Sequence, residues 1–192
     1  MTVSYFILAL WLTSGTATSQ ELPLQSQIFV GKWVINEELS DDTDRKVEET
    51  IRSWGGRPPD TGKKGKERYR GGPKEHALYD HISYDEELKF DYTQPEFRLE
   101  YDDGFTRVFH DDGRKRVISA SGTVSGDNQD FSFASWDNGK LHVESSVRDG
   151  GWIVEVFEYI EETSQLKIRM QLNPSSFIKP IVLTRIYDRP AD

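Results

Sequence analysis

Residues 165–188 read QLKIRMQLNPSSFIKPIVLTRIYD. Leu166, Ile168, Met170 and Leu172 recur at every second position, the period at which a strand shows one face to a core. Asn173-Pro174 then interrupts the run, because proline has no N–H to give to a ladder. Ile181 and Leu183 resume the same period. Two such runs joined without any helical periodicity predict antiparallel neighbours.

The pattern extends upstream. Period-two apolar positions appear at Phe97, Leu99 and Tyr101, at Phe131 and Phe133, and at Leu141 and Val143. Turn signals separate the runs at Gln94-Pro95, Asp103-Gly104, Asp112-Gly113, Gly126-Asp127-Asn128, Asn138-Gly139, Asp149-Gly150, Thr163-Ser164 and Asn173-Pro174. Asp-Gly and Asn-Gly supply the positive φ that tight hairpins need. The run IFVGKWVIN over residues 28–36 predicts a further strand ahead of this meander, with Phe29, Gly31, Trp33 and Ile35 on one face. So long a meander leaves two exposed edges unless it closes on itself. The fold class expected is all-β: an antiparallel up-and-down β-barrel of about eight to ten strands, with one or two short helices inserted after the first strand.

Between the first strand and the meander the character of the chain changes. Ser40 precedes DDTDRKVEETIRSW, where a serine N-cap, early acids and Val47, Ile51 and Trp54 at helical spacing predict an amphipathic helix ended by Gly55 and Gly56. Its stripe suits a face packed on the barrel. Arg57 to Lys74 carries seven basic residues against Asp60 and Glu67, a net charge of +5, broken throughout by glycine and proline. The composition predicts a flexible basic loop suited to an anionic envelope surface. A second short helix is expected between Pro73 and Leu88.

The 192 residues can bury one core, and 35% hydrophobic with 12% aromatic content is enough to fold despite 30% charged residues. The net charge of −9 argues against nucleic acid as a partner. Without cysteine there is no disulfide, thiolate nucleophile, Cys-ligated zinc, iron–sulfur cluster or covalently attached haem. YFILALWL, residues 5–12, is too short for a bilayer but has the size of a signal-peptide h-region, with Gly15, Ala17 and Ser19 following. Residues 1–19 are expected to be a signal peptide and 20–192 a single domain, exported to a periplasm or secreted, with no transmembrane segment after cleavage.

Gly31-Lys32-Trp33 on the first strand, with Arg185 in the closing Thr184-Arg185-Ile186-Tyr187-Asp188-Arg189, resembles the lipocalin-like (calycin) superfamily. In those barrels a G-x-W tryptophan closes one end and an arginine of the last strand packs over it. The resemblance implies that Gly31, Trp33 and Arg185 are structural closure residues and that the barrel encloses a cavity. More narrowly, G-x-W, then Asn36-x-x-Leu39-Ser40-Asp41-Asp42, a helix, a basic loop and the T-R-x-Y-D-R ending look like a family of small exported bacterial proteins of uncharacterised function. The chain departs from lipocalins in an excursion of about 50 residues after strand one and in having no T-D-Y element.

Chemistry-bearing residues are sparse. His76 and Asp80 share a helical spacing but suit solvated positions, and the acidic pairs at hairpin turns do not match a calcium loop. Gly122-Thr-Val-Ser125-Gly126 has the wrong spacing for a nucleophile elbow. No catalytic residue, metal site or cofactor is assigned. Phe97, Tyr101, Phe131, Phe133 and Phe157 are candidate ligand-lining residues, and the small Ala120, Ser121, Gly122, Ala134 and Ser135 suggest room for a ligand. Glu155 has two readings: in phase with Ile153 and Phe157 it enters the interior, where burial would suit a general acid, and in the opposite phase it is solvated. The expected function is an exported barrel binding a small apolar or amphipathic ligand. The alternatives are a filled barrel that contacts the envelope through 57–74, and an acid–base enzyme such as an isomerase or cyclase.

Overall fold

The computed structural model describes residues 24–57, 86–102, 104, 106–112, 116–118, 130–147 and 151–191. A helical turn, α1 (Leu24–Gln27), leads into β1 (Gly31–Ile35), α2 (Thr43–Ser53), β2 (Glu87–Thr93), β3 (Glu96–Tyr101), β4 (Thr106–His110) and β5 (Arg116–Ile118). There follow β6 (Asp130–Asp137), β7 (Lys140–Val147), β8 (Gly151–Ile160), β9 (Gln165–Pro174) and β10 (Ile181–Asp188). The signal-peptide run, the basic segment 57–74 apart from Arg57, and residues 73–85 of the second helix expected between Pro73 and Leu88 lie outside the described residues, while Glu87 and Leu88 already belong to strand β2.

The strands form one ten-stranded antiparallel sheet in the order β4-β3-β2-β1-β10-β9-β8-β7-β6-β5. β1 joins the two arms of the meander, pairing Gly31 with Phe90 on β2 and Ile35 with Tyr187 on β10. This is the up-and-down barrel, nearly closed: β4 and β5 are its edges, and β4 approaches β6. A side-chain clasp bridges the seam. Asp111 Oδ2 accepts from Tyr92 Oη on β2 at 2.8 Å and from Trp136 Nε1 on β6 at 3.0 Å. Burial first, then the hydrogen bond and the charge of Asp111, push the Tyr92 phenol up to about 12.

The strand alternation puts Phe90, Phe97, Phe109, Phe157, Leu99, Leu141, Val143, Ile168 and Leu183 inside. Tyr92 stacks on Phe97 at 4.1 Å, Phe97 meets Trp136 at 5.6 Å and Phe90 meets Phe157 edge-on at 5.6 Å, the geometries that aromatic quadrupoles favour.

Each end of the barrel has its own closure. Where β10 begins, α2 presents buried Val47 and Ile51, and Trp54 meets Phe177 edge-on at 4.9 Å. The N-cap is Asp42, which accepts from the Arg45 N–H at 2.7 Å, and not Ser40 as the sequence suggested. Ser40 Oγ is instead held against the Ile186 backbone of β10. The expected glycine stop is present: Gly55 sits at φ +84° and its N–H returns to the Arg52 carbonyl.

Where β10 finishes, Trp33 is fully buried and donates Nε1–H to the Phe29 carbonyl at 2.8 Å. The guanidinium above it belongs to Arg189, 3.9 Å from the ring centroid, so the assignment of that role to Arg185 is corrected. Arg185 points inward at the other end, donating to the Asp41 carbonyl and to Thr43 Oγ1 at the start of α2. The four-residue offset arises because β10 runs toward Trp33, so only its last residues reach that end. Gly31 makes the arrangement feasible: its φ is +117°, and a Cβ there would lie 2.6 Å from Arg189 Nη1.

Candidate functional site

Alternation along β8 selects the inward phase for Glu155. Ile153, Glu155 and Phe157 are buried, whereas Trp152 on the other face is 45% exposed. Along β4 the same alternation turns Arg107 inward together with Phe109. The two charged groups meet across the barrel interior, each only 1% exposed. Arg107 Nη1 donates to Glu155 Oε1 at 3.0 Å, and Arg107 Nη2 to Glu155 Oε2, a two-pronged pair that the flat guanidinium fork favours.

Neighbouring strands complete the group. Arg107 Nη1 also reaches Tyr101 Oη at 2.7 Å, and Nη2 lies 3.4 Å from Ser145 Oγ. The guanidinium sits 4.7 Å from the Phe109 centroid. Ser132 on β6 pairs directly with Ser145 on β7, and both are buried on the inner face. Burial pulls the Arg107 guanidinium down, and the Glu155 charge together with the Tyr101 oxygen outweighs it, holding the group above the ordinary arginine range. Two polar atoms here have no hydrogen-bond partner among the described residues: Arg107 Nε and Ser132 Oγ.

The interior is thus amphipathic. Phe90, Phe97 and Phe157 supply an aromatic wall, while β6 and β7 contribute the small buried Ser132, Ala134, Val143 and Ser145. Of the residues singled out from sequence, Phe97, Phe157 and Glu155 face inward, and Tyr101 joins the charged group. Phe133 does not line the interior: it lies on the opposite phase from buried Ser132 and Ala134, and Ser135 shares that outer phase. The side chain of Phe131 and residues 119–129, which include Ala120 to Gly122, lie outside what is described.

Glu155 is engaged by both terminal nitrogens of Arg107, an arrangement that presents a fixed ion pair and not an isolated buried acid. Sequence reading missed Arg107, Ser132 and Ser145. The signal was present for Arg107, which shares the phase of Phe109, but a lone arginine in a strand more often faces solvent.

On the outer face Glu158 bridges Lys140 and Lys167 at 2.6 and 3.7 Å, and the Lys140 hydrogen bond leads in holding its carboxyl below the usual range. Asp91 is likewise an outer-face residue, paired with Lys89 at 3.1 Å. Among the described residues no group of three or more His, Asp or Glu is arranged to hold a metal, and no helix is long and apolar enough to cross a membrane.

Among solved structures the fold is similar to apo lipid binding protein 8 of Caenorhabditis elegans, at 13% identity and a TM-score of 0.50, covering 85% of this chain and 96% of that one. The chain has a calycin-like barrel fold. A secretory abundant heat soluble protein of Ramazzottius varieornatus aligns at 13% identity over 85% of this chain and 96% of that one, with a TM-score of 0.48. Human cRBP IV aligns at 13% identity over 84% of this chain and 97% of that one, with a TM-score of 0.45. No protein-family model and no curated protein sequence matches the chain.

Proposed function

We propose that this protein is an exported binding barrel that holds one small apolar or amphipathic molecule in its interior. The observation that carries the reading is the buried Arg107–Glu155 pair set among inward aromatics and small side chains. A barrel that only needed filling would gain little from it, since a buried ion pair is often no more stabilising than apolar residues of the same volume. Arg107 Nε and Ser132 Oγ, without a hydrogen-bond partner among the described residues, add a further cost that a bound polar group would relieve. The barrel likeness to a nematode lipid binding protein is in keeping with this use of the fold.

Export rests on the apolar run at residues 5–12 and the small residues after it, with periplasmic or secreted release of 20–192. The narrower resemblance to small exported bacterial proteins is part of the same proposal. The +5 charge of residues 57–74 favours contact with an anionic envelope surface as a second role. The deciding experiment is native mass spectrometry of the protein recovered from its own compartment, followed by organic extraction. One stoichiometric small molecule and an N-terminus near residue 20 are expected. An empty barrel that takes up no lipid probe would overturn the binding reading and leave the envelope-contact role.

A further inference from the structure

The outer wall of the barrel carries a groove rich in cations that interior binding does not use. Alternation turns Lys140 and His142 outward on β7, Val156 and Glu158 on β8, and Lys167 and Arg169 on β9. Strand pairing sets them in two rows, His142–Val156–Arg169 and Lys140–Glu158–Lys167. With Asp137 and Asn138 of the β6–β7 turn they line one cavity of about 430 Å³. Lys140 Nζ and Lys167 Nζ both reach Glu158, at 2.6 and 3.7 Å, so a single carboxylate is shared between two ammonium groups. Arg169 is exposed and stands opposite the uncharged Val156 and Thr184. His142 stands between the uncharged Ser135 and Val156. The cavity lining thus sets three permanent cations and an imidazole against the two carboxylates of Asp137 and Glu158, on a chain whose net charge is −9.

From this arrangement we infer that the groove over Val156 is a binding site for a phosphate group, carried by a soluble phosphomonoester or by a lipid head group. Its donors stand on two walls, Lys140 and His142 on one side and Lys167 and Arg169 on the other, two strand spacings or about 10 Å apart at the backbone. A tetrahedral dianion offers oxygens to both walls at once, and the guanidinium fork of Arg169 suits two of them. A planar carboxylate, with two oxygens and one charge, satisfies one wall only. Val156 between the walls puts no competing acceptor beneath the anion. The site is on the opposite side of the barrel wall from the interior, so it stands or falls independently of what the barrel holds.

The test titrates the full chain with glycerol 3-phosphate and with acetate at constant ionic strength and about pH 7.5, where the ester is largely dianionic, following backbone amide resonances by NMR. Saturable shifts are expected at residues 140–142, 156 and 167–169, with the ester binding at least about tenfold more tightly than acetate. Arg169→Gln is expected to weaken the ester about fivefold. Glu158→Gln, which releases both lysines, is expected to strengthen it about threefold, a gain that a damaged fold cannot produce. Lys89→Gln, the same loss of charge on the outer face of β2, should change it little. Phosphatidylcholine vesicles with and without phosphatidate separate the two sources. Phosphatidate binding that Arg169→Gln weakens assigns a lipid head group, whereas weakening of glycerol 3-phosphate binding alone assigns a soluble ester. Equal affinity for acetate, shifts that do not saturate, or the same response to Lys89→Gln as to Arg169→Gln overturns the site and leaves only diffuse surface charge.

Discussion

Arg189 stacks on Trp33 with its guanidinium carbon 3.9 Å from the ring centroid, and its two terminal nitrogens donate to the carbonyls of Val30 at 2.9 Å and Ile28 at 2.6 Å. One side chain thus ties the residue that follows β10 to the entry of β1 and shields the buried tryptophan. Burial draws the Arg189 guanidinium below its ordinary value, but an arginine remains charged under all working conditions.

Truncating the two members of this stack should separate their contributions. Arg189→Ala is expected to lower stability by about 1–3 kcal/mol, from the cation–π contact and hydrogen bonds to charged nitrogen. Trp33→Ala, a fully buried core truncation, should lose about 3–5 kcal/mol. Urea unfolding midpoints measure both, and an unchanged midpoint for Trp33→Ala would sink its role as the closing residue.

Gly31→Ala is expected to be disproportionately harmful for a change of one methyl. The residue sits at φ +117°, where side chains are strained, and the new Cβ would meet Arg189 Nη1 at 2.6 Å. A loss of about 1–3 kcal/mol follows. Because the clash is with the end of a flexible side chain, Gly31→Ala in an Arg189→Ala background should recover the steric part, which a double-mutant cycle would read as a non-additive coupling.

The Arg107–Glu155 pair makes a sharper contrast. Removing Arg107 alone, as Arg107→Met, leaves a carboxylate buried without a partner and should cost about 3–5 kcal/mol. Replacing both partners with apolar residues of similar volume is expected to be near neutral. Thermal unfolding of the two variants decides it: a double variant as unstable as the single one would show that the pair itself holds the barrel together.

Alkaline titration should expose the seam clasp. Tyr92 has its folded value raised from 10.0 to about 12. A raised value means that its stabilising contribution is complete below about pH 10, the unfolded value, and is lost as pH rises through about 12. The loss amounts to about 2–3 kcal/mol across that interval. Subtracting the stability profile of Tyr92→Phe from that of the unsubstituted protein isolates this tyrosine, and a flat difference between pH 10 and 12 would rule out the clasp.

The all-β class, the order of the strands and the helix after β1 were legible in the sequence because each is a local property. Period two in Leu166, Ile168, Met170 and Leu172 marks a strand, and a chain of hairpins makes consecutive strands neighbours. Val47 and Ile51 announced the buried side of α2 for the same reason. The exact cap was less legible, since Ser40, Asp41 and Asp42 are all competent and only the path of the chain along β10 selected Asp42.

What the sequence by itself determined is therefore the alternation: which residues share a face, where the chain turns, and that a buried tryptophan would stand on β1. Only the tertiary structure decided which face is inside, and so turned Glu155 inward and Phe133 outward. It alone set Arg107 on β4 against Glu155 on β8, and Arg189 in place of Arg185 above Trp33. The reason is physical: period-two patterning fixes relative phase along one strand, whereas partners across a barrel depend on its curvature and register, which arise from all the strands packing at once.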